Sequence, residues 1–126
     1  MDKNEFKEFC NKEFAKRGFK SVKSMYYLAG KDLLCGIQLQ KSNFGAVYYV
    51  NYYFFLGNFS DIRVYPSHYE SDIDQRFLVM SKTQTVHRKH FVTAQIEFEE
   101  YTEEELQPYF DKEFEERILP PVYKGK

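Results

Sequence analysis

CGIQLQKSNFGAVYYVNYYFF, residues 35–55, decides the fold. It reads as two strands joined by the turn KSNFG, within strands expected over 32–40 and 46–56. Successive side chains of a strand point to opposite faces. Leu33, Cys35, Ile37 and Leu39 therefore share one face, and Leu34, Gly36, Gln38 and Gln40 the other. In the second strand Tyr48, Val50, Tyr52, Phe54 and Leu56 oppose Val47, Tyr49, Asn51, Tyr53 and Phe55. One face of the pair is apolar throughout. The other carries three amides, Gln38, Gln40 and Asn51, flanked by Tyr49 and Tyr53. Helices should cover the apolar face and leave the amides exposed.

The flanks supply those helices. Near the N-terminus Phe6, Phe9, Cys10 and Phe14 repeat at three- and four-residue spacing, which lines one helical stripe. Asp2 and Glu5 have the spacing of a capping box. Gly18 suits a left-handed helix ending, with Phe19 folding back on Phe14. Near the C-terminus Leu106, Tyr109, Phe110, Phe114 and Ile118 form a second stripe, and Thr102 with Glu105 forms a second capping box. Pro108 predicts a kink there or a later start, and Pro120–Pro121 predict the end.

The remaining segments read as strands and turns. A strand is expected over 23–28, then a turn at AGKD in which Gly30 takes positive φ. A short edge strand is expected over 61–65, ended by Pro66. SHYESDIDQR reads as a polar connection and RFLVM as a short strand. VHRKH reads as a turn before a strand over 91–98, where Val92, Ala94, Ile96 and Phe98 should face inward. No helix is interleaved between strands. The expected fold is α+β: one curved, mainly antiparallel sheet with the N- and C-terminal helices on one face, forming a single domain over 1–126.

Composition narrows the function classes. The 126 residues carry 18 basic and 19 acidic groups, a net charge of -1, which gives no reason to expect nucleic acid as a partner. Aromatics make up 19% of the chain, which suits a β-rich core and argues against disorder. MDKNEFKEFC has no apolar run of signal-peptide length, and no stretch is long enough to span a membrane. With two cysteines on expected apolar faces, Cys10 and Cys35, these features point to a cytoplasmic chain with buried free thiols and no membrane partner.

Chemistry-bearing constellations are few. If residues 68–74 are extended, His68, Glu70, Asp72 and Asp74 point one way and could ligate a divalent cation. The expected alternative is a solvated connection in which Glu70 or Asp72 pairs with the planar fork of Arg76. Arg76 could instead face the amides and receive an anionic ligand. His87 and His90 fall in a basic turn without companions for a zinc site. No GxSxG, HExxH or glycine-rich phosphate loop occurs, so neither a cofactor nor a catalytic set is expected. The acidic residues from Glu97 to Glu116 suit a solvated helix face, or a docking surface for a basic partner.

Taken together, GFKSVKSMYYLAGKDLLCGIQLQKSNFG, YYVNYYFF, ESDIDQR and a late helix ending ILPPVY resemble the bacterial domain-of-unknown-function family numbered 4304. The resemblance places Gly18, Phe19, Gln40, Lys41, Ser42, Asn51, Glu70, Ser71, Asp72 and Arg76 at motif positions. It departs in one respect. Relatives often carry a Trp pair before the last helix, and this chain has no Trp. The resemblance implies a fold and a set of positions, and no activity.

The expected function is a non-enzymatic protein-binding module, monomeric or homodimeric, with an immunity-type inhibitor as one concrete form. Its expected site is Gln38, Gln40, Tyr49, Asn51, Tyr53, Glu70, Asp72 and Arg76. A small-ligand binder with a polar pocket on the uncovered face is the alternative, and an enzyme the third reading.

Overall fold

The structure, a computed structural model, describes residues 1–59 and 64–124. Helix α1 spans Lys3–Lys16. Strands β1 (Lys20–Val22), β2 (Met25–Ala29), β3 (Leu33–Lys41) and β4 (Tyr48–Leu56) follow. A 3-10 turn at His68–Glu70 leads into β5 (Ile73–Arg76), and β6 (Val79–Val86) and β7 (Lys89–Thr93) come next. The C-terminal rod is α2 (Glu103–Lys112), a π-helical segment (Glu113–Ile118) and α3 (Leu119–Lys124). The fold is α+β. Five antiparallel strands form one sheet in the order β1-β2-β3-β4-β5, and β6 and β7 form a separate pair.

The hairpin of β3 and β4 sets the register. Leu33 lies opposite Leu56, Gln38 opposite Asn51 and Lys41 opposite Tyr48. One face of this hairpin packs Leu33, Cys35, Ile37, Val50, Tyr52 and Phe54 against Phe6, Phe9 and Phe14 of α1 and Phe110, Phe114 and Ile118 of the C-terminal rod. The rings meet mostly edge to face, as at Phe9–Phe110 and Phe77–Phe114, which suits their quadrupoles.

Local chemistry explains several element ends. Both capping boxes form: the Glu5 N–H donates to Asp2 Oδ1, and the Glu105 N–H to Thr102 Oγ1. Gly18 has φ 90°, the Phe19 N–H returns to the Phe14 carbonyl, and the two rings pack at 6.2 Å. His87 and Arg88 take positive φ in the turn between β6 and β7.

Several expectations are corrected. The strand expected over 23–28 is β2, starting at Met25, and a further strand, β1, precedes it across a turn at Lys23 (φ 56°). Gly30 is not among the residues with positive φ. It is needed because a Cβ there would lie 2.0 Å from the Val122 carbonyl oxygen of α3. The expected connection SHYESDIDQR contains β5, and the expected edge strand over 61–65 falls mostly outside the described residues, with Val64 and Tyr65 not in a strand. The last strand starts earlier and ends at Thr93, so Val92 is 55% exposed while Ile96 and Phe98 are buried. Helix α2 starts at Glu103 with Pro108 inside it.

Pro120 and Pro121 do not end the rod. The wide π turn carries the chain past them, with the Leu119 N–H bonded five residues back to the Phe114 carbonyl. The prolines then fall in the first turn of α3, where a missing N–H is tolerated.

Candidate functional site

Three strands assemble one polar cluster on the face opposite the helices. The register sets Gln38 beside Asn51 and Asn51 beside Arg76 across β3, β4 and β5. The Asn51 Nδ2 donates to Gln40 Oε1 at 2.8 Å, and the Arg76 Nε donates to Asn51 Oδ1 at 2.9 Å. The Arg76 Nη2 reaches the same Gln40 oxygen at a long 3.5 Å. The Arg76 guanidinium lies 4.2 Å from the centre of the Tyr49 ring, a cation–π stack. The Tyr53 hydroxyl donates to Gln38 Oε1 at 3.2 Å. Asn51 is only 5% exposed, so its amide is held from both sides.

Of the eight expected site residues, six therefore lie together: Gln38, Gln40, Tyr49, Asn51, Tyr53 and Arg76. Glu70 and Asp72 do not join them. Glu70 accepts the Ser67 N–H at 2.8 Å and caps its own 3-10 turn. Asp72 accepts the Leu56 N–H at 2.8 Å and ties the connection to the end of β4. The expected ion pair from either of them to Arg76 is replaced by the Asn51 and Gln40 bonds. The physical reason is β5. Once residues 73–76 pair with β4, Arg76 faces the amides, and residues 68–70 are coiled rather than extended.

The amide face is also less open than expected. At its far end Met25, Tyr27, Leu34, Tyr53 and Phe55 form a second apolar cluster, with Phe59 and Tyr65 from the long connection packed on it. The Tyr27 hydroxyl donates to the Pro66 carbonyl at 2.5 Å, and the Tyr65 ring stacks on Tyr27. His68 packs on Tyr53 at 5.4 Å between centroids. A shallow polar hollow of about 400 Å³ stays open between Gln40, Asn51, Tyr53, Asp74 and Arg76.

Sequence reasoning missed a buried polar network under the helices. Glu13, only 6% exposed, accepts from Arg17, Lys16 and Gln107, and Arg17 bridges on to Asp111 at 2.7 Å. Burial alone would raise the Glu13 pKa, but the Arg17, Gln107 and Lys16 hydrogen bonds outweigh it and hold the carboxyl below its ordinary value. Glu113 goes the other way. Burial raises its pKa despite bonds from the Leu78 N–H at 3.1 Å and the Tyr52 hydroxyl at 3.5 Å. The available signal was Tyr52: a tyrosine on an apolar face needs a partner for its hydroxyl.

The thiols fit their expected places. Cys10 and Cys35 are buried, and that burial pushes both pKa values up, which removes the thiolate needed of a nucleophile. Among the described residues no group of three or more His, Cys, Asp or Glu is placed to hold a metal ion, and no helix is long and apolar enough to cross a membrane.

Three motif positions of the sequence resemblance, Gln40, Asn51 and Arg76, thus meet in one hydrogen-bonded cluster. A family model described as Domain of unknown function (DUF4304) matches residues 10–122. The chain belongs to the DUF4304 family. No curated protein and no solved structure matches it. The DUF4304 match runs from α1 to α3, so it takes in the whole five-stranded sheet and both faces described above.

Proposed function

We propose that this DUF4304 chain is a cytoplasmic, non-enzymatic protein-binding module that engages its partner through the amide face. One observation carries the reading: the amides and the arginine of that face are already bonded to their neighbours. Gln40, Asn51 and Arg76 form a closed chain of hydrogen bonds, and Tyr49 stacks beneath the guanidinium. Such a surface loses little side-chain entropy on binding, and tyrosine adds stiff contact area with a polar tip. An immunity-type inhibitor, which neutralises a toxin by covering it, is one form such a module takes.

The polar hollow of about 400 Å³ supports a second reading, a small anionic or amide-bearing ligand. It ranks behind because ligand pockets are mostly apolar and enclose their ligands, whereas this hollow is open. Affinity capture from native lysate, run beside Asn51→Ala/Arg76→Ala, tests both readings. A stoichiometric protein held by wild type and lost from the variant is expected. Retention of a small molecule in its place would favour the second reading. A variant that captures as well as wild type would remove the site.

A further inference from the structure

Strand β5 is the outer strand of the five-stranded sheet, and all four of its residues are exposed. Phe77, the next residue, donates its N–H to the Val50 carbonyl of β4 at 2.9 Å. Backbone groups in an antiparallel ladder face the same neighbour at every second residue. Ile73 and Gln75 therefore turn their N–H and C=O toward β4, and Asp74 and Arg76 turn theirs outward. The side chains of Asp74 and Arg76 share the amide face, since they lie opposite Tyr53 and Asn51. Among the described residues Arg76 has no carboxylate within 4.0 Å, and Asp74 makes no hydrogen bond or ion pair.

We propose that the chain forms a two-fold dimer in which β5 of a second copy adds antiparallel to β5, with Gln75 on the axis. The tripeptide Asp74-Gln75-Arg76 is complementary to itself in that register alone. Asp74 of each copy then faces Arg76 of the other, giving two ion pairs related by symmetry. The backbone allows the same register, because residues 74 and 76 both carry the outward groups that a hydrogen-bonded antiparallel pair exchanges. A slip of the axis to position 74 sets Asp74 against Asp74, and a slip to 76 sets Arg76 against Arg76. A slip by half a step pairs outward with inward groups. On the helix face, Leu56 and Ile73 are 55% and 46% exposed and line an apolar hollow of about 480 Å³ beside the same edge. The second copy shields these side chains, and two five-stranded sheets become one. An isologous contact of this kind repeats every interaction twice.

The test uses the full chain and charge reversal, read by sedimentation equilibrium. Wild type is expected at twice the mass of the chain. Asp74→Arg sets arginine against arginine and Arg76→Asp sets aspartate against aspartate, so each should self-associate roughly 100-fold more weakly. An equimolar mixture of the two variants should regain the dimer as a heterodimer, because every facing pair is then Arg against Asp. Hydrogen exchange on unmodified protein gives a second readout, with the Asp74 and Arg76 amides slowing as concentration rises. A wild type that stays monomeric overturns the proposal. So does a dimer indifferent to both reversals, a mixture of monomeric variants that stays monomeric, or exchange at these two amides that ignores concentration. Gln38→Ala separates this contact from the partner reading, since it alters the amide face and leaves the β5 edge unchanged.

Discussion

The two faces of β3 and β4 are made by alternate residues of the same two strands, yet they meet different fates. On the helix face Cys35, Ile37, Val50 and Tyr52 are buried under two helices. The carboxylates buried there, Glu13 and Glu113, are each held by several partners. On the amide face, Gln38, Gln40 and Asn51 bond mainly sideways, to neighbours on the same sheet. The first face is held by burial and tolerates little loss of volume. The second is held by lateral hydrogen bonds that solvent can replace. Stability should therefore respond to the first face and binding to the second.

The largest expected effect tests the helix face. Phe14 is fully buried and packs on Tyr26, Phe19, Phe110 and Phe114. Phe14→Ala should cost about 3–5 kcal/mol in urea unfolding. A loss under about 1 kcal/mol would mean α1 is not docked as described. Gly30→Ala comes next. Its Cβ would press on the Val122 carbonyl at 2.0 Å, which is backbone and cannot rotate away. Forced repacking of this kind costs about 1–3 kcal/mol, and an unchanged unfolding midpoint would show that α3 yields freely.

The amide face should behave in the opposite way. Arg76 is exposed and Asn51 keeps only side-chain bonds at this site. Asn51→Ala with Arg76→Ala should lower stability by about 1–2 kcal/mol and abolish partner capture. Global unfolding of this double variant would erase the contrast between the faces and make the cluster structural.

Much of this contrast was legible in sequence. Alternation in β3 and β4 separates amides from apolar residues because a strand's period is two, and both capping boxes are local signals. What could not be read depended on distant partners. Ile73–Arg76 is polar and exposed throughout, so only the edge of β4 makes it a strand. Without β5, Arg76 had no reason to point at Asn51 rather than at Glu70 or Asp72. The polar network failed for a similar reason. Glu113 read as part of a solvated acidic helix face, and only the docking of the rod against Tyr52 and Leu78 encloses it; Glu13 is enclosed by Gln107 of α2. Gly30 looked like a turn glycine because the approach of α3, ninety residues on in the chain, leaves no local trace.

The smallest expected effect is a slope rather than a loss, and it separates two kinds of burial on the helix face. Glu113 is raised in the fold from its ordinary value of 4.5, chiefly by burial. The folded state then binds its proton more tightly than the unfolded state does. That contribution is complete below pH 4.5 and is lost as pH rises through the folded pKa. Glu13 is lowered from 4.5, so its contribution is present above that value and is lost as pH falls through its folded pKa. The two carboxylates thus oppose each other around the same pH. Glu113→Gln keeps the shape and an acceptor for the Leu78 N–H but cannot ionise. Urea unfolding between about pH 4 and pH 8 should show the variant gaining on wild type as pH rises above 4.5. The Tyr52 hydroxyl would turn to accept from the new amide. A difference that stays flat across this range would mean that Glu113 is ionised at no cost, with Arg117, 3.8 Å from its Oε1, compensating its burial in full. The helix face would then be as tolerant of charge as the amide face, and the distinction between the faces would rest on packing alone.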